Sequence, residues 1–150
     1  MTSYDKVYDA FLARILEDEW ENWLIEEAEN DWRQILEMAL SHFKFPRVDL
    51  THDDNGFSGD LGYEEIQIIA NFMKCEWLNR CIMTWENVKP LYVERDFSQA
   101  NLLNNFCKLL EKTEKQCEKL QKLYSRSLPD GQGGRKTYSF SKFAGRNNGI

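Results

Sequence analysis

Apolar residues recur at three- and four-residue steps in four segments of the chain, a spacing typical of amphipathic helices. The first segment runs from about Tyr4 to Ile15, and the second runs from about Trp32 to Phe43, ahead of Pro46. In the third, the same spacing resumes at Ile66 and reaches Cys81. The pattern predicts a mainly α-helical fold, a small helical bundle.

The fourth segment is the most regular and predicts one long C-terminal helix. It opens near Asp96, an N-cap residue with Gln99 three positions later. Its apolar seam follows alternating three- and four-residue steps through Leu103, Phe106, Leu110, Thr113, Cys117, Leu120 and Tyr124. Leu102 and Leu109 widen the apolar face, which favours packing inside the domain. Packing between subunits through Leu103, Phe106, Leu110, Leu120 and Tyr124 stays open as the alternative.

A polar stretch from Thr51 to Gly62 interrupts the helical pattern and predicts a loop or a small hairpin. Counted from Thr51, it places oxygen ligands at positions 1, 3 and 5 and a glycine at position 6, as a calcium-binding EF-hand loop does. Position 1 is threonine rather than aspartate, and position 12 is Gly62 rather than glutamate. Calcium binding at 51–62 would therefore be weak.

From Pro129 onward the composition changes, which divides the chain into a helical domain, 1–128, and an extended arm, 129–150. The arm is rich in glycine, serine and asparagine, and it contains one acidic residue and four basic residues. Within it, aromatic residues alternate with polar ones, which suits either an unstructured tail or a strand that pairs with another chain. The residues predicted to dock are Arg135, Lys136, Tyr138, Phe140, Lys142 and Phe143.

Charge adds a second candidate surface. The chain carries a net charge of -6, and the segment from Glu17 to Asp31 contains eight acids and no base, with Trp20, Trp23 and Leu24 among them. Either this is a solvated helix or loop held to the core by its tryptophans, or it is an acidic surface facing a basic partner or DNA. The acids of that surface are Glu17, Asp18, Glu19, Glu21, Glu26 and Glu27. An acidic body argues against binding of nucleic acid through its phosphates.

The sequence offers little that predicts chemistry. It contains two histidines, no HExxH or CxxC pattern and no phosphate-binding glycine loop. We therefore predict no enzyme activity, no metal and no cofactor. Without a signal peptide or a membrane-spanning run, the protein is expected to be made in the cytoplasm. Its four cysteines, Cys75, Cys81, Cys107 and Cys117, are then expected to be reduced thiols in the core.

Scattered matches over residues 4–123 resemble small neck proteins of tailed bacteriophages. They begin with Tyr4–Asp5–Lys6–Val7–Tyr8 and Phe11–Leu12. A second block comprises Leu61, Glu64–Glu65–Ile66, Ile68–Ile69–Ala70–Asn71, Met73 and Glu76–Trp77–Leu78, and a third is Phe97–Ser98–Gln99–Ala100–Asn101–Leu102–Leu103. Gly62–Tyr63 departs from the polar pair expected before Glu64, and the arm matches no part of the family.

The resemblance implies a head-to-tail adaptor in the neck of the virion. Such a protein forms a ring, expected to hold twelve copies, under the portal. The ring extends the DNA channel without binding DNA specifically and docks the next neck or tail protein, and no membrane is involved. The arm is expected to reach the portal or a neighbouring subunit. The alternative is a small acidic helical regulatory or inhibitor module, with or without a weak calcium loop at 51–62.

Overall fold

A computed structural model describes residues 1–15, 19–88, 97–129 and 135–137, and it confirms a mainly helical bundle. The helices are α1 (Tyr4–Leu12), α2 (Ile25–Leu40), α3 (Tyr63–Val88) and α4 (Phe97–Arg126). Two short strands follow, β1 (Ser127–Pro129) and β2 (Arg135–Thr137). As predicted, the longest helix is the last, with 30 residues. Its expected N-cap, Asp96, lies outside the described residues.

The third helix is the centre of the bundle. It packs against α1, α2 and α4, and Ile69, Met73 and Leu78 on it are fully buried. A helix covered by neighbours on several sides is apolar around most of its circumference rather than along one stripe. The 26 residues of α3 accordingly show no separate polar face.

The first helix is shorter than its apolar pattern suggested. Ser3 caps it by accepting a hydrogen bond from the amide of Asp5, and it ends at Leu12 instead of Ile15. Ile15, beyond the end of the helix, is nevertheless buried. The apolar spacing thus identified core residues more accurately than it located the helix end.

The loop at 51–62 packs against the N-terminus of the chain. The backbones of Thr2 and Phe57 exchange two hydrogen bonds, and Phe57 is fully buried. An isolated bridge between His52 and Phe57 gives the loop the character of a small hairpin. At Gly56, φ is +149° and an added Cβ would lie 2.4 Å from the carbonyl oxygen of Thr2. Glycine is therefore required there by both the backbone conformation and the close approach of another chain segment.

The second helix begins seven residues earlier than predicted, at Ile25 rather than about Trp32, and it ends at Leu40 rather than Phe43. Its buried residues are Ala28, Ile35, Leu36 and Ala39. Ala28 adds little to a hydrophobic pattern, so the first two turns of α2 resemble polar sequence. Phe43 lies beyond the helix but stays in the core, against the ring of Tyr124.

The apolar seam of α4 faces α3 of the same chain. Thr113, Cys117 and Tyr124 are buried, and Phe106, Leu110 and Leu120 pack partly buried against the core. The remaining seam residue, Leu103, is half-buried.

Tyr124 fixes the end of α4. Its hydroxyl donates to Glu65, 3.2 Å away, and accepts from the amide of Arg47 at 2.9 Å. The guanidinium of Arg47 also lies 3.8 Å from the centre of the Tyr124 ring. The described part of the seam therefore packs largely inside its own domain.

After α4 the chain forms an antiparallel pair of strands. Ser127, Leu128 and Pro129 of β1 face Thr137, Lys136 and Arg135 of β2. The predicted boundary between a domain ending at 128 and an arm beginning at 129 falls within β1. The arm therefore begins with strands that pair within the same chain. Residues 138–150 lie outside the part that the structure describes.

Candidate assembly surface

Trp20 holds the acidic segment to the body of the protein. It is buried, and its indole Nε1 donates a hydrogen bond to Asp31 Oδ2 at 2.7 Å. Its ring meets the rings of Phe11 and Trp32 edge to face, at centroid distances of 6.0 and 5.9 Å. These aromatic contacts and the satisfied indole N–H make Trp20 an anchor between α1 and α2.

Arg80 of α3 completes this anchor. Its two terminal nitrogens donate to the two carboxylate oxygens of Asp31 at 2.7 and 3.0 Å, and a weaker contact reaches Glu19 at 3.3 Å. Glu19 in turn accepts a hydrogen bond of 2.7 Å from the indole of Trp77. Paired hydrogen bonds between arginine and carboxylate fix geometry as well as charge. We call Glu19, Trp20, Asp31, Trp77 and Arg80 the inner network.

Within the inner network, Asp31 and Arg80 stabilise each other's charged forms. Burial alone would raise the pKa of Asp31, but the hydrogen bonds from Arg80 and Trp20 outweigh it and lower that pKa below its usual value. The hydrogen bond to Asp31 raises the pKa of Arg80. Both shifts stabilise the charged forms, so Asp31 and Arg80 are an ion pair over the neutral pH range.

Immediately after Trp20 the chain turns outward. All seven residues from 21 to 27 are exposed. Three of them are large and apolar, with exposed fractions of 43% for Trp23, 70% for Leu24 and 64% for Ile25. Three are acids, and together these residues form the outer patch: Glu21, Trp23, Leu24, Ile25, Glu26 and Glu27.

The outer patch is also a weak helix start. Leu24 is the N-cap residue of α2, and it makes no side-chain capping hydrogen bond. Serine, threonine, aspartate or asparagine at this position would stabilise the helix by about 1 kcal/mol. Three consecutive exposed apolar residues are likewise unusual on the surface of a protein that acts alone. Leu24 and Ile25 are exposed at this uncapped helix start, which makes the patch a candidate docking surface.

The acids of the predicted surface fall into two groups in the structure. Glu21, Glu26 and Glu27 are exposed in the outer patch, whereas Glu19 belongs to the inner network. Glu17 and Asp18 lie outside the described residues. Trp20 holds the segment to the core as expected, but Trp23 and Leu24 do not. The sequence clue to this division was Glu26–Glu27, since acids mark the first turn of a helix and place Leu24 and Ile25 at its start.

Of the predicted docking arm, the structure describes only Arg135 and Lys136, which lie in β2 and pair with β1. Tyr138, Phe140, Lys142 and Phe143 lie outside the described residues.

The loop at 51–62 uses its polar groups internally. The carbonyl oxygen of Asp53 accepts hydrogen bonds from Tyr4 and Arg33, and its side chain accepts one of 2.7 Å from the amide of Asn55. Across the described ranges, no three histidine, cysteine, aspartate or glutamate side chains are grouped in a way that could hold a metal ion. Gly56, the glycine at position 6 of the EF-hand pattern, thus has a packing explanation.

The cysteines differ in their surroundings. Cys75 and Cys117 are buried and Cys81 is half-buried, but Cys107 is exposed on α4. The prediction of a core thiol is therefore wrong for Cys107, because that position lies beside the apolar seam rather than within it. All four are free thiols.

Comparisons of the chain with protein-family models, curated proteins and solved structures give no match.

Among the described helices, none is both long enough and apolar enough to cross a membrane.

Proposed function

We propose that this protein is a head-to-tail adaptor of a tailed bacteriophage. In this proposal twelve copies form a ring under the portal, extend the DNA channel and dock the next neck or tail component. The observation that carries the proposal is the outer patch, an exposed apolar run with an acidic rim at the uncapped start of α2. Such a surface serves an assembly protein better than a protein that acts alone.

A ring of identical subunits needs two different surfaces that fit one another. The outer patch supplies one, with indole and aliphatic groups rimmed by Glu21, Glu26 and Glu27. The arm supplies the chemistry that complements it, since its sequence combines tyrosine and phenylalanine with arginine and lysine. Opposite charges at the rim favour the correct encounter, and the apolar centre supplies affinity. We infer that the arm of each copy covers the outer patch of the next.

The resemblance to phage neck proteins supports the same proposal. Its longest block falls on α3, the helix that every other helix contacts, and its third block opens α4. The similar residues thus form the framework of the bundle. The acidic body supports the channel role, because like charge discourages DNA from binding as it passes.

The test is the mass of the full-length protein, alone and mixed with purified portal rings, measured by light scattering and native mass spectrometry. We expect a small free species that joins the portal in a fixed number of copies. A protein that stays monomeric at high concentration and ignores portal rings would contradict the adaptor function.

The arm can be tested separately by removing residues 138–150, which leaves β1 and β2 in place. The shortened protein is expected to keep its helical circular dichroism spectrum and to lose attachment to the ring. Replacing Phe140 and Phe143 with serine should have the same effect if aromatic side chains dock. Ser139→Ala with Ser141→Ala is the matched control in the same segment and should attach normally.

The exposed acids favour one other candidate, an inhibitor that presents Glu21, Glu26 and Glu27 to a basic enzyme in place of DNA. An inhibitor of this kind should remain monomeric and should compete with DNA for its target. The exposed apolar run favours the adaptor, since imitation of DNA requires charge rather than indole and aliphatic groups. The mass measurement separates the two functions.

A further inference from the structure

Two buried thiols face each other across the interface between α3 and α4. The sulfur atoms of Cys75 and Cys117 are 3.7 Å apart, although the residues are 42 positions apart in the chain. Both side chains are almost fully buried, with exposed fractions of 6% and 2%. A disulfide requires two sulfurs at about 2.05 Å, so a modest approach of the two side chains would bring them to bonding distance.

The pair is accessible to a small molecule. Both cysteines line a cavity of about 250 Å³ between α3 and α4. The exposed side chains of His42, Asn79 and Glu118 also line it, so the cavity reaches the surface. It is large enough for molecules the size of water or a small peroxide. The buried thiols can therefore meet a small oxidant without unfolding of the bundle.

The two thiols have different acidities, which gives them different roles. The hydrogen bond with Cys117 lowers the pKa of Cys75 despite its burial. The same contact, together with burial, raises the pKa of Cys117. Cys75 is thus the thiol that ionises first, and the thiolate is the form that reacts with oxidants.

We propose that Cys75 and Cys117 are an oxidisable pair that a small peroxide converts to a disulfide, joining α3 to α4. The Cys75 thiolate attacks one peroxide oxygen, the O–O bond breaks, and Cys75 becomes a sulfenic acid as hydroxide leaves. Oxidation removes the negative charge that opposed ionisation of Cys117. The Cys117 thiolate then attacks the Cys75 sulfur, the S–O bond breaks, and a second hydroxide leaves. The two thiol protons neutralise the two hydroxides, so two thiols and one peroxide give one disulfide and two waters.

The cross-link would stabilise the bundle. It ties the central helix to the last helix and restricts the unfolded chain, an effect that grows with the length of chain enclosed. For a protein of this size, the melting temperature should rise by roughly 5–15 °C. The proposal is independent of the adaptor function, because it concerns only the interior of one subunit.

The experiment treats the reduced full-length protein with hydrogen peroxide, alkylates the remaining thiols and maps the peptides by mass spectrometry. We expect a peptide pair linked through Cys75 and Cys117 and lacking two hydrogens. The melting temperature should rise and should return to its initial value after reduction. Cys107→Ser is the matched control, since it removes the exposed thiol and should leave the cross-link unchanged. Cys75→Ser should abolish it.

The mapping of the unsubstituted protein decides the question even if Cys75→Ser fails to fold. If Cys107 is oxidised while Cys75 and Cys117 are recovered as separate alkylated thiols, the proposal is wrong. Recovery of the two residues as unlinked sulfinic acids would overturn it as well, because each thiol would then have reacted alone.

Discussion

Trp20 and Trp23 lie three residues apart in the same acidic segment, yet their surroundings are opposite. The indole of Trp20 is buried, hydrogen-bonded to Asp31 and surrounded by aromatic rings. Trp23 is 43% exposed, next to Leu24 and Ile25, which are more exposed still. The acids divide in the same way, since Asp31 pairs with Arg80 while Glu26 and Glu27 face solvent.

The difference separates a part of the segment that stabilises the fold from a part that we propose for assembly. Where α3 supplies Arg80, acid and aromatic groups satisfy one another and the fold is stabilised. At Trp23, Leu24 and Ile25, by contrast, apolar groups are exposed at a helix start that a polar residue would cap better. Substitutions in the inner network should therefore affect folding, and those in the outer patch should affect assembly.

The largest effect should come from Asp31→Ala in the inner network. The substitution leaves the Trp20 indole without its acceptor and leaves Arg80 with only its weaker contact to Glu19. Asp31 is well shielded, at 13% exposure, whereas Arg80 is 35% exposed. The loss should therefore fall below that of a fully buried pair, at about 2–3 kcal/mol of unfolding free energy, measured by urea denaturation. Glu21→Ala is the control and should change it by less than about 0.5 kcal/mol. Equal effects of the two substitutions would remove the distinction between the regions.

Acid should remove the stability that Asp31 contributes through the inner network. Folding lowers the pKa of Asp31, so its contribution is complete above the unfolded value, about 3.9, and disappears as pH falls through the folded value. Unfolding free energies measured between pH 6 and pH 2.5 should thus fall most steeply below about pH 4. The Asp31→Asn variant should show a shallower fall, and parallel curves for the two proteins would contradict this assignment.

The smallest change in stability, with the opposite sign, is expected for Leu24→Ser. Serine can cap α2, so the unfolding free energy should rise by about 0.5–1 kcal/mol. If the outer patch is the assembly surface, attachment to the ring should weaken about tenfold, measured by native mass spectrometry at graded concentrations. Met38→Ser is the control, because Met38 is an exposed apolar residue of the same helix and lies outside the patch. Attachment of the Leu24→Ser protein at full strength would exclude the patch from the interface.

Periodicity predicted most of the fold because core positions repeat locally. The seam of α4 and the buried faces of α1 and α3 followed from residue spacing alone. The start of α2 did not, since Leu24 gives no capping signal and Ala28 contributes little to a pattern. The strand pair was also missed, because β1 and β2 are too short to show alternation before the backbone returns on itself.

The candidate surface was only half predictable. An excess of acids is visible in sequence, but the separation of Glu19 and Asp31 from Glu26 and Glu27 depends on Arg80, which lies 49 residues beyond Asp31. The facing thiols of Cys75 and Cys117 likewise depend on how α3 and α4 align. A local residue pattern does not show which segments, distant in the sequence, contact each other in the fold.

The central position of α3 has a consequence for synthesis of the chain. While a ribosome is still making residues before Tyr63, α1 and α2 lack α3, whose surface both helices pack against in the folded protein. Emergence of α3 supplies that surface, and α4 then needs only to cover its remaining side. We therefore expect chaperones to bind nascent chains that end before α3 far more than chains that include Val88.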